Sequence, residues 1–379
     1  MLVLSAVTFQ MFLVFTTGYA APSYQATLMR PPSESLLYNF WGIATSLSPS
    51  GKIAGFSRRS ISTAPIDQAI LWDNAGVPSV LPVNGPYRQA YANGFSAGEN
   101  PVGFITVNAG ELPRPTVWEP DGPRFLGSHT GFGVAISGSQ NFIAGYALRD
   151  NGDGNDVTAT YWDGDGFHQI QGLDNRVSRA FTVNNNGWYV GPSFIRNVPN
   201  SHAGFIGQGG TSQLLVHPDF PNTFAFDIND NNWVAGEYRP TDPQEPSTVI
   251  AQLPFAWHDD QFIALGLFPG FNAAKAYAIN NDNTLVGGAS NFGGDVEKAL
   301  VWFNGANTPQ DLNTFVNIPG ATLINGLDIN NAGQIFAEAR IDPSAGGGYA
   351  YYVLTPIPEP ASAAAVVLGV AGLLRRRRG

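Results

Sequence analysis

The groups best suited to chemistry in this sequence are carboxylates. The run Asp150-Asn151-Gly152-Asp153-Gly154-Asn155-Asp156 places three acids and two amides in seven residues, and hard cations such as calcium bind looped runs of this kind. Asp150, Asp153 and Asp156 are therefore the candidate metal ligands. Aligned on the EF-hand-like pattern, however, Arg149 falls at the first ligand position and Thr160 where the terminal bidentate acid belongs. The run thus reads first as a solvated hairpin loop and only second as a calcium site, and no other cofactor is implied. Asp163, Glu237 and Asp295 could meet across a fold as the paired carboxylates that glycoside hydrolysis requires, although the chain is acidic throughout. The five histidines, His129, His168, His202, His217 and His258, show no paired metal spacing, and neither a nucleophile elbow nor a phosphate-binding loop occurs. No residue earns a catalytic assignment on these grounds. An enzyme is left without positive support.

Composition limits what can position such groups. The 379 residues include 44 Gly and 28 Pro, 44% are hydrophobic and only 13% are charged, a profile of buried strands and many turns rather than of a disordered polyelectrolyte. Net charge is -10, which argues against a nucleic-acid partner, because phosphate binding needs clustered Lys and Arg. With no cysteine, neither disulfides nor thiolate metal sites can hold the fold together. Packing and strand ladders must supply its stability.

One unit recurs seven times between the two ends. Its clearest copy, residues 225–236, has an apolar segment, an Asn-rich turn and a second apolar segment ending in Gly236. Related copies lie at 47–55, 95–103, 136–145, 183–191, 279–287 and 329–337, the last ending in Ala337 instead of Gly. Each is followed by a variable polar stretch and a strand around an aromatic residue: Trp72, Trp118, Trp162, Phe205, Trp257, Trp302 and Tyr352. In the clearest copy, strands are expected at 224–229, 233–238, 254–258 and 262–266, joined by tight turns of residues that tolerate positive φ. Four strands per unit at a spacing of 42 to 52 residues predict an all-β, seven-bladed β-propeller. A β-solenoid ranks second and tandem sandwiches third. The fixed place of the aromatic residues predicts packing between neighbouring blades rather than a sugar-stacking face, and the Asn residues read first as turn formers.

The seventh unit lacks a fourth strand, and an unassigned strand-like segment, residues 24–30, precedes the first unit in the position a fourth strand would hold. These two ends are expected to pair, which would leave no exposed blade edge. The long variable segments 57–67, 147–157, 239–252 and 289–297 all join second to third strands, so they emerge on one face. Variable loops on a rigid scaffold are where binding residues concentrate, and the ligand surface is expected there.

The ends of the chain read as addresses. Residues 1–17 are almost wholly apolar and Gly18-Tyr19-Ala20 offers small residues before Ala21, which predicts a signal peptide over 1–20 cleaved between Ala20 and Ala21, despite the lack of a basic start. At the other end, Pro358-Glu359-Pro360 precedes an apolar stretch, 361–374, and then Arg375, Arg376, Arg377 and Arg378. The stretch is shorter than a comfortable permanent span, and the arginines would hold its end on the cytoplasmic side.

Triplet, short apolar helix and basic end together resemble the PEP-CTERM sorting signal of Gram-negative bacteria, with Ile357 where that family has Val. The resemblance covers only residues 357–379. It implies processing by an exosortase near Pro358 to Pro360, after signal peptidase has acted, and delivery from an inner-membrane intermediate to the outer envelope, cell surface or biofilm matrix. The third strands at 68–72, 201–205 and 298–302 resemble the HAF repeat of extracellular proteins, although only His202 supplies the histidine. That family implies location and architecture, with no established enzymatic chemistry.

The domain reading is therefore a signal peptide (1–20), a seven-repeat propeller (21–356) and a sorting signal (357–379). The functional reading is an exported envelope or matrix protein with a non-catalytic binding or structural role toward a glycan or protein. It would contact the membrane only through its C-terminal helix before processing. The alternative is a secreted glycosidase or lyase on the same scaffold.

Overall fold

The computed structural model describes residues 22–30, 46–59, 66–85, 87, 89–96, 98–107, 112–126, 133–138, 142–148, 157–173, 176–217, 222–242, 248–291 and 297–358. It separates into one compact unit, Tyr24–Pro356, and a second made of Met1–Ser23 with Ile357–Gly379, of which only residues 22, 23, 357 and 358 are described. The first unit holds all seven repeats.

Its described elements are β-strands and three short 3-10 turns. Unit five is typical: Thr223–Ile228, Val234–Tyr238, Leu253–His258 and Gln261–Ala264 form one antiparallel meander in chain order. Unit six repeats it with Ala273–Ile279, Leu285–Ser290, Glu297–Trp302 and Gln310–Asp311. Units three and four form their own sheets. Units one and two form two meanders joined only by a parallel bridge, Asp67 to Gln89. The first strand of each unit from two to seven packs on strands of the unit before it, and the first strand of unit one, Ser46–Leu47, packs on Ala321–Ile329 and Ile335–Ile341 of unit seven. Meanders packed in sequence order, with the last against the first, make a β-propeller.

The expected pairing of the two ends is present. The sheet of unit seven runs Ser23–Leu28, Tyr349–Ile357, Ile335–Ile341, Ala321–Ile329, so the N-terminal strand supplies the fourth position. Met29 N–H donates to Tyr351 O at 2.9 Å, and Tyr24 and Met29 are buried.

The repeated Gly has a steric cause. A Cβ on Gly103, Gly191 or Gly287 would lie 1.8 Å from the carbonyl oxygen of Tyr91, Arg179 or Lys275 on the adjoining first strand. In unit seven, where Ala337 takes the Gly position, its cross-strand partner is Gly326. The backbones approach closely because first strands carry β-bulges, at Ala225/Asp227, Ala276/Ala278 and Gly326/Asp328 among others. A bulge re-aims side chains, here those around Phe226, Tyr277 and Leu327.

The Asn turns do more than reverse the chain. The left-handed residue is the fourth of each turn, Gly51, Glu99, Gly187, Asn232, Asn283 and Gly333, with φ between 54° and 92°. The first residue instead ties units together. Asn184 Nδ2 donates to Asn229 O (2.9 Å), Asn229 Nδ2 to Asn280 O (2.8 Å), Asn280 Nδ2 to Asn330 O (3.3 Å) and Asn330 Nδ2 to Ser48 O (2.9 Å). Each Oδ1 accepts two N–H groups of its own turn, as Asn280 does from Asp282 and Thr284. These four asparagines are buried, so the ladder satisfies groups that would otherwise be costly to bury.

The third-strand aromatics pack between neighbouring units, as their periodicity predicts. Trp72 lies with Phe336, Tyr351 and Val353 of unit seven, and Trp118 with Ala54, Ala69 and Leu81 of unit one. Trp72 Nε1 donates to Arg30 O and Trp118 Nε1 to Pro82 O, each just beyond the preceding fourth strand.

Candidate functional site at the loop end of units five to seven

Strands alternate in direction, so first-to-second and third-to-fourth turns share one end of each sheet, the turn end. Second-to-third connections share the other, the loop end. Charged and aromatic groups from three units gather between the loop end, where Glu237 and Glu297 lie, and the middle of the strands, with the backbone of Tyr277 at a bulge nearer the turn end. Glu237, near the end of its second strand, is fully buried. Its Oε1 accepts from Arg239 Nε at 2.8 Å and also from Nη2. Its Oε2 lies 3.7 Å from Lys275 Nζ, within ion-pair reach but beyond hydrogen-bonding distance, and has no hydrogen-bond partner among the described residues. The Arg239 guanidinium lies over the Phe224 ring at 4.1 Å, and Lys275 Nζ lies 6.0 Å from the centre of Tyr277.

Tyr277 is the centre of this arrangement. Burial raises its phenol above the ordinary tyrosine range, and the negative charges of Glu237, Glu338 and Glu297 raise it further. Those acids come from units five, seven and six. Glu338 accepts from Asn325 Nδ2 (2.9 Å) and the Tyr351 hydroxyl (3.2 Å), and Glu297 pairs with Arg340 of the next unit. Tyr351 is likewise raised, by burial first and then by Glu338. The aromatic surface continues through Phe226, 5.7 Å from Tyr277, and Phe224 to His202. Burial, followed by Arg239 and Arg176, lowers the His202 pKa and so favours the neutral ring. Acceptors, donors and ring faces thus alternate over a short, partly buried stretch that Lys275, Tyr277 and Glu338 bring to the surface, an array suited to a ligand with many hydroxyl groups.

A second pair of acids sits on the first strands. Asp328 Oδ2 accepts from Leu47 N–H of unit one at 2.6 Å and its Oδ1 from Ile329 N–H at 2.7 Å. Asp227 makes the corresponding bonds to Ile279 N–H of unit six and to Ile228 N–H, both at 2.8 Å. Part of each residue reaches the surface, yet desolvation dominates both carboxyl groups. It pushes Asp227 up to about 6, against the two backbone bonds and the Thr182 hydroxyl, and Asp328 up to about 7, with help from the like charge of Asp227. These carboxyls join neighbouring units.

Of the acids singled out in the sequence, Glu237 belongs to the loop-end cluster. Asp163 lies at the opposite end, in a third-to-fourth turn, 2.8 Å from His168 Nε2 and accepting from Asp165 N–H. His258 stacks on Trp233 and His217 on Tyr238, apart from one another. Asp295, His129, the calcium candidates Asp150, Asp153 and Asp156, the cleavage pair Ala20 and Ala21, and Glu359, Pro360 and Arg375 to Arg378 lie outside the described residues; Pro358 is exposed. Among the described residues no group of three or more His, Asp or Glu could hold a metal, and no helix is long and apolar enough to cross a membrane. The apolar stretch 361–374 lies outside them. Arg239, Lys275, Tyr277, Glu297 and Glu338 were not singled out in the sequence. Arg239 and Glu297 do fall inside the variable segments 239–252 and 289–297, whereas the only signal for Lys275, Tyr277 and Glu338 was their place beside the repeated motif.

No family model and no curated protein matches this chain. Among solved structures it is similar to the β-propeller domain of the Trilobed protease from Pyrococcus furiosus, described as having an open velcro topology. The TM-score is 0.53 at 7% identity, over 90% of this chain and 97% of that one. This shows the propeller fold and nothing of activity. Weaker likenesses are to a structure from a study of two prolyl endopeptidases (TM-score 0.47, 9% identity, 84% of this chain and 50% of that one) and to a chain of the mitotic checkpoint complex (0.46, 8%, 95% and 99%).

Proposed function

We propose that this chain is an exported protein of the cell envelope or extracellular matrix, in which a closed seven-bladed propeller holds a polyhydroxylated ligand, a glycan, at its loop end. The N-terminal segment directs export, and the C-terminal segment is a PEP-CTERM tag that an exosortase processes. The single observation carrying the binding reading is the convergence on Tyr277 of Glu237, Glu297 and Glu338 from three units, interleaved with Arg239, Lys275 and Arg340. Glu237, Arg239, Lys275, Glu297 and Arg340 lie toward the end that bears the long variable connections, where a rigid scaffold usually presents its ligand-binding residues. The seven-blade count is supported by the seven sequence units and by the hydrogen bonds from unit seven to unit one.

The same convergence favours one alternative, a carbohydrate-active enzyme using acids from different blades. Against it, Glu237 is locked between Arg239 and Lys275 and Glu297 is paired with Arg340. A glycan-array screen of the mature body, with reducing-sugar release assayed in parallel, separates the two readings. Binding without turnover supports the first. Turnover would replace it with the second, and no binding to any glycan would leave a protein-binding or structural role.

A further inference from the structure

The first strands of the seven units pack on one another in chain order, and that of unit seven, Ala321–Ile329, packs on that of unit one, Ser46–Leu47. They therefore surround a central axis. One position on these strands is set apart, the residue just before the one that faces the repeated Gly, or Ala337 in unit seven. It holds Tyr91, Arg179, Phe224, Lys275 and Asn325. Each of the five is partly exposed while both of its chain neighbours are buried. An exposed position between two buried ones, at the same register in five units, lines an opening at the axis.

Contacts between units place these residues at one level independently. Each meets the second strand of the preceding unit at the residue after its Gly. The Tyr91 ring lies 4.2 Å from that of Phe56, Arg179 Cζ lies 5.1 Å from the centre of the Tyr146 ring, and Lys275 Nζ lies 3.7 Å from Glu237 Oε2. Asn325 Oδ1 stands 2.1 Å from where a Cβ on Gly288 would be. The charges along this wall are matched, with one exception. Glu237 holds Arg239 and Lys275, and Glu338 accepts from Asn325 and Tyr351. Arg179 has no carboxylate partner among the described residues, and its Nε is buried without an acceptor. In a chain of net charge -10 an unmatched arginine is not for want of acids. A buried donor left unmet is costly, and a planar guanidinium laid on an aromatic ring is suited to receive a carboxylate through two parallel bonds.

We propose that the ligand is an acidic glycan, and that the carboxylate of a uronate residue pairs with Arg179 at the axis while the donors and acceptors of units five to seven take its hydroxyl groups. The proposal rests on the reading of the ligand as a glycan and names its class. A neutral sugar would leave the guanidinium unmatched.

Calorimetric titration of the full-length protein with oligogalacturonate, oligoglucuronate and oligomannuronate, each beside its carboxyl-reduced neutral form, tests this. The wild type should bind at least one acidic form tenfold or more tightly than its neutral form. Arg179→Gln should bring those two forms level, and Arg179→Lys should keep part of the preference. Where Arg179→Gln does not fold, the wild-type comparison still decides. Equal affinity of the wild type for acidic and neutral forms, binding of neutral forms only, or a preference that survives in Arg179→Gln would overturn the proposal and leave the glycan reading intact. Binding of no sugar, or of oligoglutamate alone in a parallel titration, would overturn the glycan reading and the proposal with it.

Discussion

Asp328 should make this protein more stable as the solution becomes mildly acidic. Its carboxyl moves from an ordinary 3.8 to about 7 in the folded chain, and at about 1.4 kcal/mol per pH unit this corresponds to ~4 kcal/mol disfavouring the charged form. Asp227, moved to about 6, adds ~3 kcal/mol by the same conversion. Their mutual repulsion is counted in Asp328, so these figures bound the pair from above. Because both folded values lie above the unfolded one, the folded state holds protons more tightly. Stability is therefore lowest above pH 7, rises as pH falls through 7 and then 6, and levels off below about 4. Glu99 acts in the opposite sense, since against the desolvation that raises it the bonds to Ser50 and Lys52 lower its pKa from the ordinary carboxylate value. Thermal melting of the mature body between pH 8 and pH 5 should show Tm rising toward pH 5, and Asp328→Asn should remove most of the rise. The variant also loses absolute stability, because an amide nitrogen would then face Leu47 N–H or Ile329 N–H. A wild-type Tm that stays level or falls from pH 8 to pH 5, or an unchanged slope in Asp328→Asn, would refute the reasoning.

Three further outcomes rest on individual contacts. Asn280→Ala deletes the Oδ1 that accepts from two turn N–H groups and one donor to unit seven, so chemical denaturation should show a loss of ~3 kcal/mol at about 1 kcal/mol per bond; exposed Asn231→Ala should cost well under that. Deleting residues 21–30 uncovers the edge of Tyr349–Ile357, and light scattering and melting should show aggregation or a lower Tm for the whole body, whereas a body that melts unchanged would show that the strand is dispensable. Glu237→Ala leaves Arg239 and Lys275 without their buried partner, which for a broken buried pair costs about 3–5 kcal/mol, and a calorimetric loss below about 1 kcal/mol, the level of an exposed pair, would show that the pair is solvated.

Much of the fold was legible because it rests on local chemistry repeated seven times. The strands expected at 224–229 and 254–258 appear at Thr223–Ile228 and Leu253–His258, and Asp259 and Asp260 take the positive φ their turn requires. The missing fourth strand of unit seven was visible as an imbalance in the repeat, which is why the pairing of residues 24–30 could be anticipated. The Asn turns were read only in part. Side-chain preference identifies a turn, but the donation of Asn229 to Asn280 O depends on how neighbouring units stack, which no local pattern contains. The candidate site was the least legible part. Glu237 and Asp163 look alike in the sequence, and only the strand directions place one beside Lys275 and the other at the opposite end. Tyr277 occupies the extra residue of a bulge, where alternation stops predicting which way a side chain points.

Isothermal titration of the strongest glycan from the array into the mature body, its Tyr277→Phe and Lys275→Met variants and its Asn231→Ala variant tests the central claim most directly. The account predicts that both loop-end changes weaken binding at least tenfold, about 1.4 kcal/mol, while Asn231→Ala binds like the wild type. Unchanged affinity in the loop-end variants together with loss in Asn231→Ala would contradict it, and would move the ligand to the turn end of the propeller.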